Sequence, residues 1–270
     1  MPVAVETNHN QQTIAVTPMH RFYVPANRIS GDRVSFETDQ RRQIRNVLRL
    51  RPGDLVAVLD GAGREYTTRI EILDERQALG RILETETPAA EPHVRLTLVQ
   101  GLPKGEKVAL ILQKCTEIGV AEFLLVETAR SVPRIPSGKM PGRLERWQAI
   151  VREAVEQSGR TRPPSVKGVI PLADALSRTR NCDARIIAWE EEKGPSLSST
   201  LPSLAGAREI ACFVGPEGGF TPEEVAAARA EGVTPVSLGP RILRAETAAI
   251  VGAALIIYGL ERQPAEDNRP

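Results

Sequence analysis

The sequence predicts an α/β protein in two parts, a small N-terminal β structure followed by a larger domain built on a mostly parallel sheet. Three observations carry this expectation. Residues 20–85 hold short alternating strands broken by Gly, Asp and Pro signals about every eight to twelve residues, a spacing that favours a small barrel or sandwich. Residues 85–94, "TETPAAEPHV", are rich in Pro, Ala and Glu and form the linker candidate. Beyond them the rhythm changes to strand–helix alternation, as βαβ units require.

In the first part "RFYV", "RVSFET", "DLVAVLDG", "REYTTRIEIL" and "ALGRIL" read as strands, and Asp39 to Leu50 as one short helix ending before Pro52-Gly53. In the second, "RLTLVQGL" (95–102) is a strand. Lys104 to Ile118 is a helix with Val108, Ile111, Cys115 and Ile118 on one face and Gly119 as its stop. "FLLVET" (123–128) is the next strand, and Leu144, Trp147, Val151, Ala154 and Ser158 mark an amphipathic helix ending at Gly159. "ARIIAWE" (184–190) and "EIACFVG" (209–215) follow as strands. Thr221-Pro222-Glu223-Glu224 has the form of a capping box with proline at the first helical position, so a helix starts there and runs to Gly232. "TPVSLG" (234–239) is a short strand, and 245–259 is a final helix, apolar almost all round. Such a helix is buried on most faces, either in the core or in a dimer interface.

These transitions divide the chain into a flexible extension (1–18), a barrel (19–88), an α/β domain (89–262) and a short tail (263–270). Residues 1–18 lack the basic start and apolar core of a signal peptide, and the apolar run at 245–259 is interrupted by Glu246 and too short to span a bilayer. Cys115, Cys182 and Cys212 are odd in number, far apart and in apolar company, as expected of reduced thiols in a cytoplasmic protein. His9, His20 and His93 have no metal-ligand spacing, so neither a metal site nor a His-based nucleophilic triad is expected.

The 270 residues carry a net charge of only +1, so a nucleic-acid surface must be a local patch. Two patches qualify. From His20 to Arg51 eight arginines face three acids, and from Arg130 to Arg162 eight basic residues face three acids, each a net +5. Such concentration suits phosphate contact, and equally a solvated helix face.

Three loops converge if the sheet is parallel, because loops at the carboxyl ends of its strands line one crevice. They are "WEEEKG" from Trp189, "GPEGGF" from Gly215 and "LGPRILRAETA" from Leu238. "GPEGGF" fits neither the dinucleotide nor the P-loop glycine pattern, and Glu217 at its centre repels phosphate. Gly215, Gly218 and Gly219 then serve either a tight strand-to-helix turn or close backbone approach to a flat, uncharged group, with the carboxylate suiting a cationic ligand. Glu246 or Thr247 is placed to cap the last helix. Arg241 and Arg244, beside an apolar segment, suit an anionic partner or a fixed pair with Glu217 or Glu246.

"VGPEGGFTPEE" followed by "LGPRILRAETA" closely resembles the paired C-terminal motifs of the RsmE family, SPOUT-class methyltransferases that use S-adenosylmethionine to modify N3 of a uridine in 16S ribosomal RNA. "HRFYV" (20–24), "IRNVLRLRPGD" (44–54), "LPKGEK", "LQKCTEIGV", "ARS" (129–131) and "REAVEQSGRTRPP" (152–164) extend the resemblance, in order, over nearly the whole chain. One departure lies before "VLR", where the family often has histidine and this chain has Gln43, Ile44 and Arg45.

The resemblance implies a PUA-like barrel for RNA, an α/β domain whose chain forms a trefoil knot, and a homodimer acting on the small ribosomal subunit, with no metal and no membrane. It places the cofactor against Trp189, Glu190, Val214, Gly215, Pro216, Gly218, Gly219, Leu238, Gly239, Ile242, Leu243, Thr247 and Ala248. Arg244, Arg241 and Arg160 become the candidate electrostatic stabilisers of a uridine anion, and Glu217 or Glu156 the candidate base. Arg21, Arg45, Arg49, Lys104, Arg130, Arg160 and Arg162 become the candidate RNA contacts. Other outcomes are a SPOUT enzyme with a different target, such as a ribose 2′-OH, and an inactive assembly factor.

Overall fold

Residues 19–132 and 135–261 are described by a computed structural model; the extension expected at 1–18 and the tail at 263–270 lie outside the described residues. The N-terminal strands are β1 (Arg21–Tyr23), β2 (Ile29–Ser30), β3 (Arg33–Ser35), β4 (Leu55–Leu59), β5 (Glu65–Leu73) and β6 (Ala78–Glu86), in the order β1-β4-β5-β6-β3-β2. Only the β1–β4 pair is parallel. Along β5, Tyr66, Thr68 and Ile70 point inward between exposed neighbours, the period of a half-buried strand. Register shifts in its pairing with β6 add twist and curl the sheet around Phe22, Val34, Ile44, Val56 and Val58. Phe22 and Phe36 meet edge to face at 5.8 Å between centroids.

The helix expected from Asp39 to Leu50 is divided. α1 (Thr38–Arg42) passes into a wider π-type turn at Gln43–Val47, where the Leu48 N–H donates to Gln43 O at 2.9 Å. This rotates Ile44 into the core and leaves Val47 exposed.

The second sheet contains β7 (Arg95–Gly101), β8 (Glu122–Glu127), β9 (Ser165–Pro171), β10 (Ala184–Ala188), β11 (Glu209–Val214) and β12 (Thr234–Val236). Their order is β12-β10-β11-β7-β8-β9, and every pair is parallel. The accompanying helices are α2 (Lys107–Ile118), α3 (Met140–Ser158), α4 (Leu172–Arg178), α5 (Leu197–Thr200), α6 (Pro222–Ala230) and α7 (Ala245–Glu261). α2, α3 and α7 cover one face with Leu98, Phe123, Ile186 and Cys212, while α4 and α6 cover the other with Val99, Leu124, Ile187 and Phe213. Strands buried on both faces read as continuous apolar runs, which made them recognisable. β9 and α4 were not: Pro163-Pro164 and Gly168 interrupt the pattern, and β9 is an edge strand with mostly half-buried residues.

Two other expectations change in detail. The linker is shorter, because Thr85 and Glu86 belong to β6. α7 buries Ala249, Gly252, Ala253, Ile256 and Ile257 but leaves Leu255 and Tyr258 exposed in the single chain, so its burial is one-sided. The two parts meet where Tyr23 N–H donates to Glu156 Oε1 at 2.8 Å, Arg152 lies 3.7 Å from Glu37, and Leu59 of the barrel joins the core of the second domain.

Candidate active site

The carboxyl ends of β10, β11 and β12 open into one cleft, where a parallel sheet places its ligands. Its floor is the turn after β11. Val214, Gly215 and Pro216 are buried there, and Gly219 N–H donates to Pro216 O at 2.9 Å to close the turn. A Cβ on Gly215 would lie 3.0 Å from the Gly219 backbone, so the turn is packed against itself. Gly219 has φ +68°, and its bare Cα is covered by the Glu190 carboxylate, which makes no hydrogen bond or ion pair among the described residues. Gly218 does not line the cleft. A Cβ there would lie 3.0 Å from the Arg130 side chain, so its role is to admit Arg130 rather than a ligand.

The turn is held from several sides. Buried Gln100 donates through Nε2 to Gly215 O at 3.1 Å, and Arg130 Nη1 donates to Gly218 O at 2.8 Å and Phe220 O at 3.3 Å. The capping box forms as expected: Glu224 N–H donates to Thr221 Oγ1 at 3.2 Å, and Thr221 N–H donates to Glu224 Oε2 at 2.9 Å. Glu224 Oε1 also accepts from Ala129 N–H at 2.7 Å, which ties in the loop after β8.

The opposite wall is the loop after β12. Leu238, Gly239 (φ +116°), Arg241, Ile242 and Leu243 line the cleft, with Ala248 below them. Ser237 braces Gly239 through a 3.1 Å bond from Gly239 N–H. Ile242 is 88% exposed, and neither the Arg241 nor the Arg244 guanidinium makes a hydrogen bond or ion pair among the described residues. Thr247 does not line the cleft, and α7 begins at Ala245, so Glu246 and Thr247 lie inside its first turn rather than capping it. Trp189 lines the third side, its backbone N–H donating to Val236 O at 3.0 Å and the Arg229 guanidinium 5.9 Å from its ring centroid.

Glu217 and Glu246 do not pair with the arginines. Lys107 Nζ, at the start of α2, lies 3.0 Å from Glu217 Oε1 and 3.2 Å from Glu246 Oε2, and Lys104 N–H donates to Glu217 Oε1 at 3.0 Å. Burial acts to raise the Glu217 carboxyl, but Lys107 and the backbone N–H groups outweigh it and hold the group below its ordinary value. The Glu217 carboxylate raises the Lys107 ammonium above its ordinary value, against burial and with Glu246 assisting. A carboxylate so stabilised as an anion is a poor base for a uridine imide.

Several expected site residues stand elsewhere. Arg160 is 3% exposed and is a structural residue: Nη2 and Nε donate to Glu91 Oε2 at 2.7 and 3.2 Å, and Nη1 to the carbonyls of Thr116 and Val120. Glu91 Oε1 accepts from Thr161 and Arg162 N–H, so the linker is latched to the domain. The Arg160 guanidinium is thus taken up by these contacts and does not line the cleft. Glu156, half-buried at the joint, is pushed up by desolvation against the opposing bond from Tyr23, and does not line the cleft. Arg21 lies 3.5 Å from Glu65 and against Gly159, and Arg162 packs on Gly63, so both fill the joint between the parts. Arg45, 3.6 Å from Glu75, and Arg49, with φ +55°, stay exposed on the barrel, as does Lys104 beside the cleft.

Sequence reasoning missed Lys107, Gln100 and Gly101. Lys107 carried a signal, since a cation at a helix N-terminus opposes the macrodipole and needs another reason to be there. Gly101 ends β7 where a Cβ would lie 2.5 Å from Pro216 Cδ. Among the described residues no group of three or more His, Cys, Asp or Glu side chains is placed to hold a metal, and no helix is long and apolar enough to cross a membrane.

Residues 90–257 match the RNA methyltransferase domain family, and residues 39–83 the RNA methyltransferase PUA domain family. The chain is 35% identical to ribosomal RNA small subunit methyltransferase E of Synechocystis, over 90% of this chain and 78% of the relative. It is 31% identical to the protein of that name from Bacillus subtilis, over 84% and 90%. Among solved structures it is similar to ribosomal RNA small subunit methyltransferase E from Neisseria gonorrhoeae bound to S-adenosyl methionine (TM-score 0.79, 34% identity, 88% of this chain and 96% of that one). A putative methyltransferase from Legionella pneumophila in complex with the bound cofactor SAM matches at TM-score 0.81 and 28% identity, with the same coverage. With both family domains in the order of its two sheets, and identity above 30% along most of its length, the chain belongs to the ribosomal RNA small subunit methyltransferase E family, the RsmE family that its motifs resemble.

Proposed function

We propose that this protein transfers a methyl group from S-adenosylmethionine to N3 of a uridine in the 16S rRNA of the small ribosomal subunit, in the cytoplasm. The observation that carries the reading is the cleft itself, with a packed glycine wall on one side and on the other a loop that brings Arg241 to the lining and Arg244 just beyond it, both guanidiniums without a partner among the described residues, in a chain of this family. The residues fit the cofactor. Gly215 and Gly219 put backbone rather than side chain on the lining, Leu238, Leu243 and Ala248 supply apolar contact for a flat base, and the carboxylates of Glu190 and Glu217 favour a cation. When bound, S-adenosylmethionine supplies an electrophilic methyl group on a sulfonium.

The imide proton at N3 leaves only well above neutral pH, so the chain must favour the anion. Arg241 and Arg244, with no other anion to satisfy among the described residues, would stabilise the negative charge on the uracil ring as the proton passes to water; the S–methyl bond would break as the N3–methyl bond forms, a neutral thioether being the leaving group. Glu217 orders the turn through Lys107 and Lys104 instead of taking the proton. The barrel (19–88) supplies RNA-phosphate contacts through Arg45 and Arg49, and the domain of 89–262 supplies the cleft. The same reading holds that the loops 215–220 and 237–244 belong to a trefoil knot. It also holds that the exposed Leu255 and Tyr258 of α7 meet a second copy in a homodimer.

The test is incubation with labelled S-adenosylmethionine and small subunits lacking the modification, followed by nucleoside mass spectrometry. Label in 3-methyluridine is expected; label on another nucleoside, or none, overturns the reading.

A further inference from the structure

We infer that Lys107 is a positioning residue that sets the width of the methyl-transfer cleft by holding its two facing walls to one ammonium. This rests on the cofactor occupying that cleft. Glu217 belongs to the turn after β11, Glu246 to the first turn of α7 beneath the 239–244 loop, and Lys107 to the start of α2. One nitrogen at 3.0 Å from the first carboxylate and 3.2 Å from the second therefore joins three elements distant in sequence. The side chains are about a third exposed at Lys107, 29% at Glu217 and 13% at Glu246, so the trio sits half out of water, where solvent screens it only partly. Glu246 Oε2 is itself buried with no hydrogen-bond partner, and Lys107 is the cation it meets among the described residues.

Without the ammonium, two like charges face each other and one of them is buried and uncompensated, which drives the walls apart. Lys107 does not line the cleft, so it acts through the walls it holds. Their separation governs how the adenosyl group is gripped, and the expected consequence is loss of cofactor affinity with chemistry at saturation little changed.

The test compares wild type, Lys107→Met, Lys107→Arg and the double variant Lys107→Met/Glu246→Gln, whose second change lies outside the cleft lining. Calorimetry would read S-adenosylmethionine binding, and turnover on small subunits would read KM and kcat. Lys107→Met is expected to weaken cofactor binding and raise its KM by about tenfold or more, with kcat within about threefold of wild type. The double variant removes the repulsion and should recover most of the affinity, and Lys107→Arg should bind like wild type. A purely structural lysine would give a lower Tm and no recovery in the double variant, and that result overturns the inference. If Lys107→Met does not fold, the same decision falls to the double variant and Lys107→Arg: weak binding by both, in folded protein, overturns it. A wild-type protein that binds no S-adenosylmethionine overturns the functional reading and this inference together. Normal wild-type binding with an unaffected Lys107→Met overturns the inference alone.

Discussion

The two walls of the cleft are built on opposite principles. The 215–220 turn is held by Gln100, Lys104, Lys107 and Arg130, with the capping box of α6 behind it. The 239–244 loop is itself braced by one serine, Lys107 gripping only Glu246 in the helix beneath it, and carries two arginines without partners among the described residues and an isoleucine that is 88% exposed. A wall so tied has its geometry set before any ligand arrives, which lowers the ordering cost of binding. A wall anchored at its helix but with free cations on a lightly braced loop can still move and keeps its charge for the substrate. The contrast assigns the cofactor grip to the first wall and the handling of the uridine anion to the second.

The sharpest way to break this division is to fill the rigid wall. Gly219→Val places a branched side chain at φ +68° and against the Glu190 carboxylate, with no slack in the turn to absorb it. Cofactor affinity should fall by about 100-fold or more, a cost of at least ~3 kcal/mol, measured by calorimetry. Wild-type affinity in this variant would mean that the turn does not contact the cofactor.

The second wall should respond in rate instead. Arg244→Ala and Arg241→Ala are each expected to lower kcat by about 10²–10³ if their charge stabilises the developing anion, with cofactor affinity within about twofold and Tm unchanged. A change in cofactor affinity as large as the change in kcat would erase the distinction between the walls.

The two walls also differed in how far the sequence revealed them. The glycine turn, the capping box at Thr221 and the loop that starts at Leu238 use local chemistry, and short-range spacing shows that. What ties the turn down comes from far away in the chain: Gln100 is 115 residues from Gly215 and Lys104 is 113 from Glu217. No local pattern encodes such pairs. The buried pairing of Arg160 was invisible for the same reason, since counting charge along 130–162 cannot see Glu91, 69 residues upstream. Gly218 looked like its neighbours in sequence, yet it faces Arg130 rather than the cleft.

Arg160 tests whether structure and catalysis separate in this way. Arg160→Ala leaves Glu91 without its cation and frees the carbonyls of Thr116 and Val120. Breaking such a pair costs about 3–5 kcal/mol when fully buried, and the partial exposure of Glu91 brings the expectation to about 2–3 kcal/mol of unfolding free energy. Denaturant melts should show that loss, while kcat per folded molecule and the salt dependence of RNA binding stay as in wild type. A flatter salt slope would return Arg160 to the RNA surface.

The smallest effect is expected on the barrel, at the residues furthest from either wall. Arg45 is exposed and meets Glu75 only at 3.6 Å, a pair worth about 0–1 kcal/mol, so Arg45→Ala should leave stability nearly unchanged. If its guanidinium sits on an rRNA phosphate, the variant loses one counterion-releasing contact. The slope of log K against log salt then falls in magnitude by about 0.7–0.9, and the RNA KM rises by a few fold with kcat intact. Filter binding of small subunits across a salt series reads that slope directly. An unchanged slope for both Arg45→Ala and Arg49→Ala would confine the RNA contact to the cleft and its two arginines, and the barrel would then act through its joint with the second domain, at Tyr23–Glu156 and Glu37–Arg152.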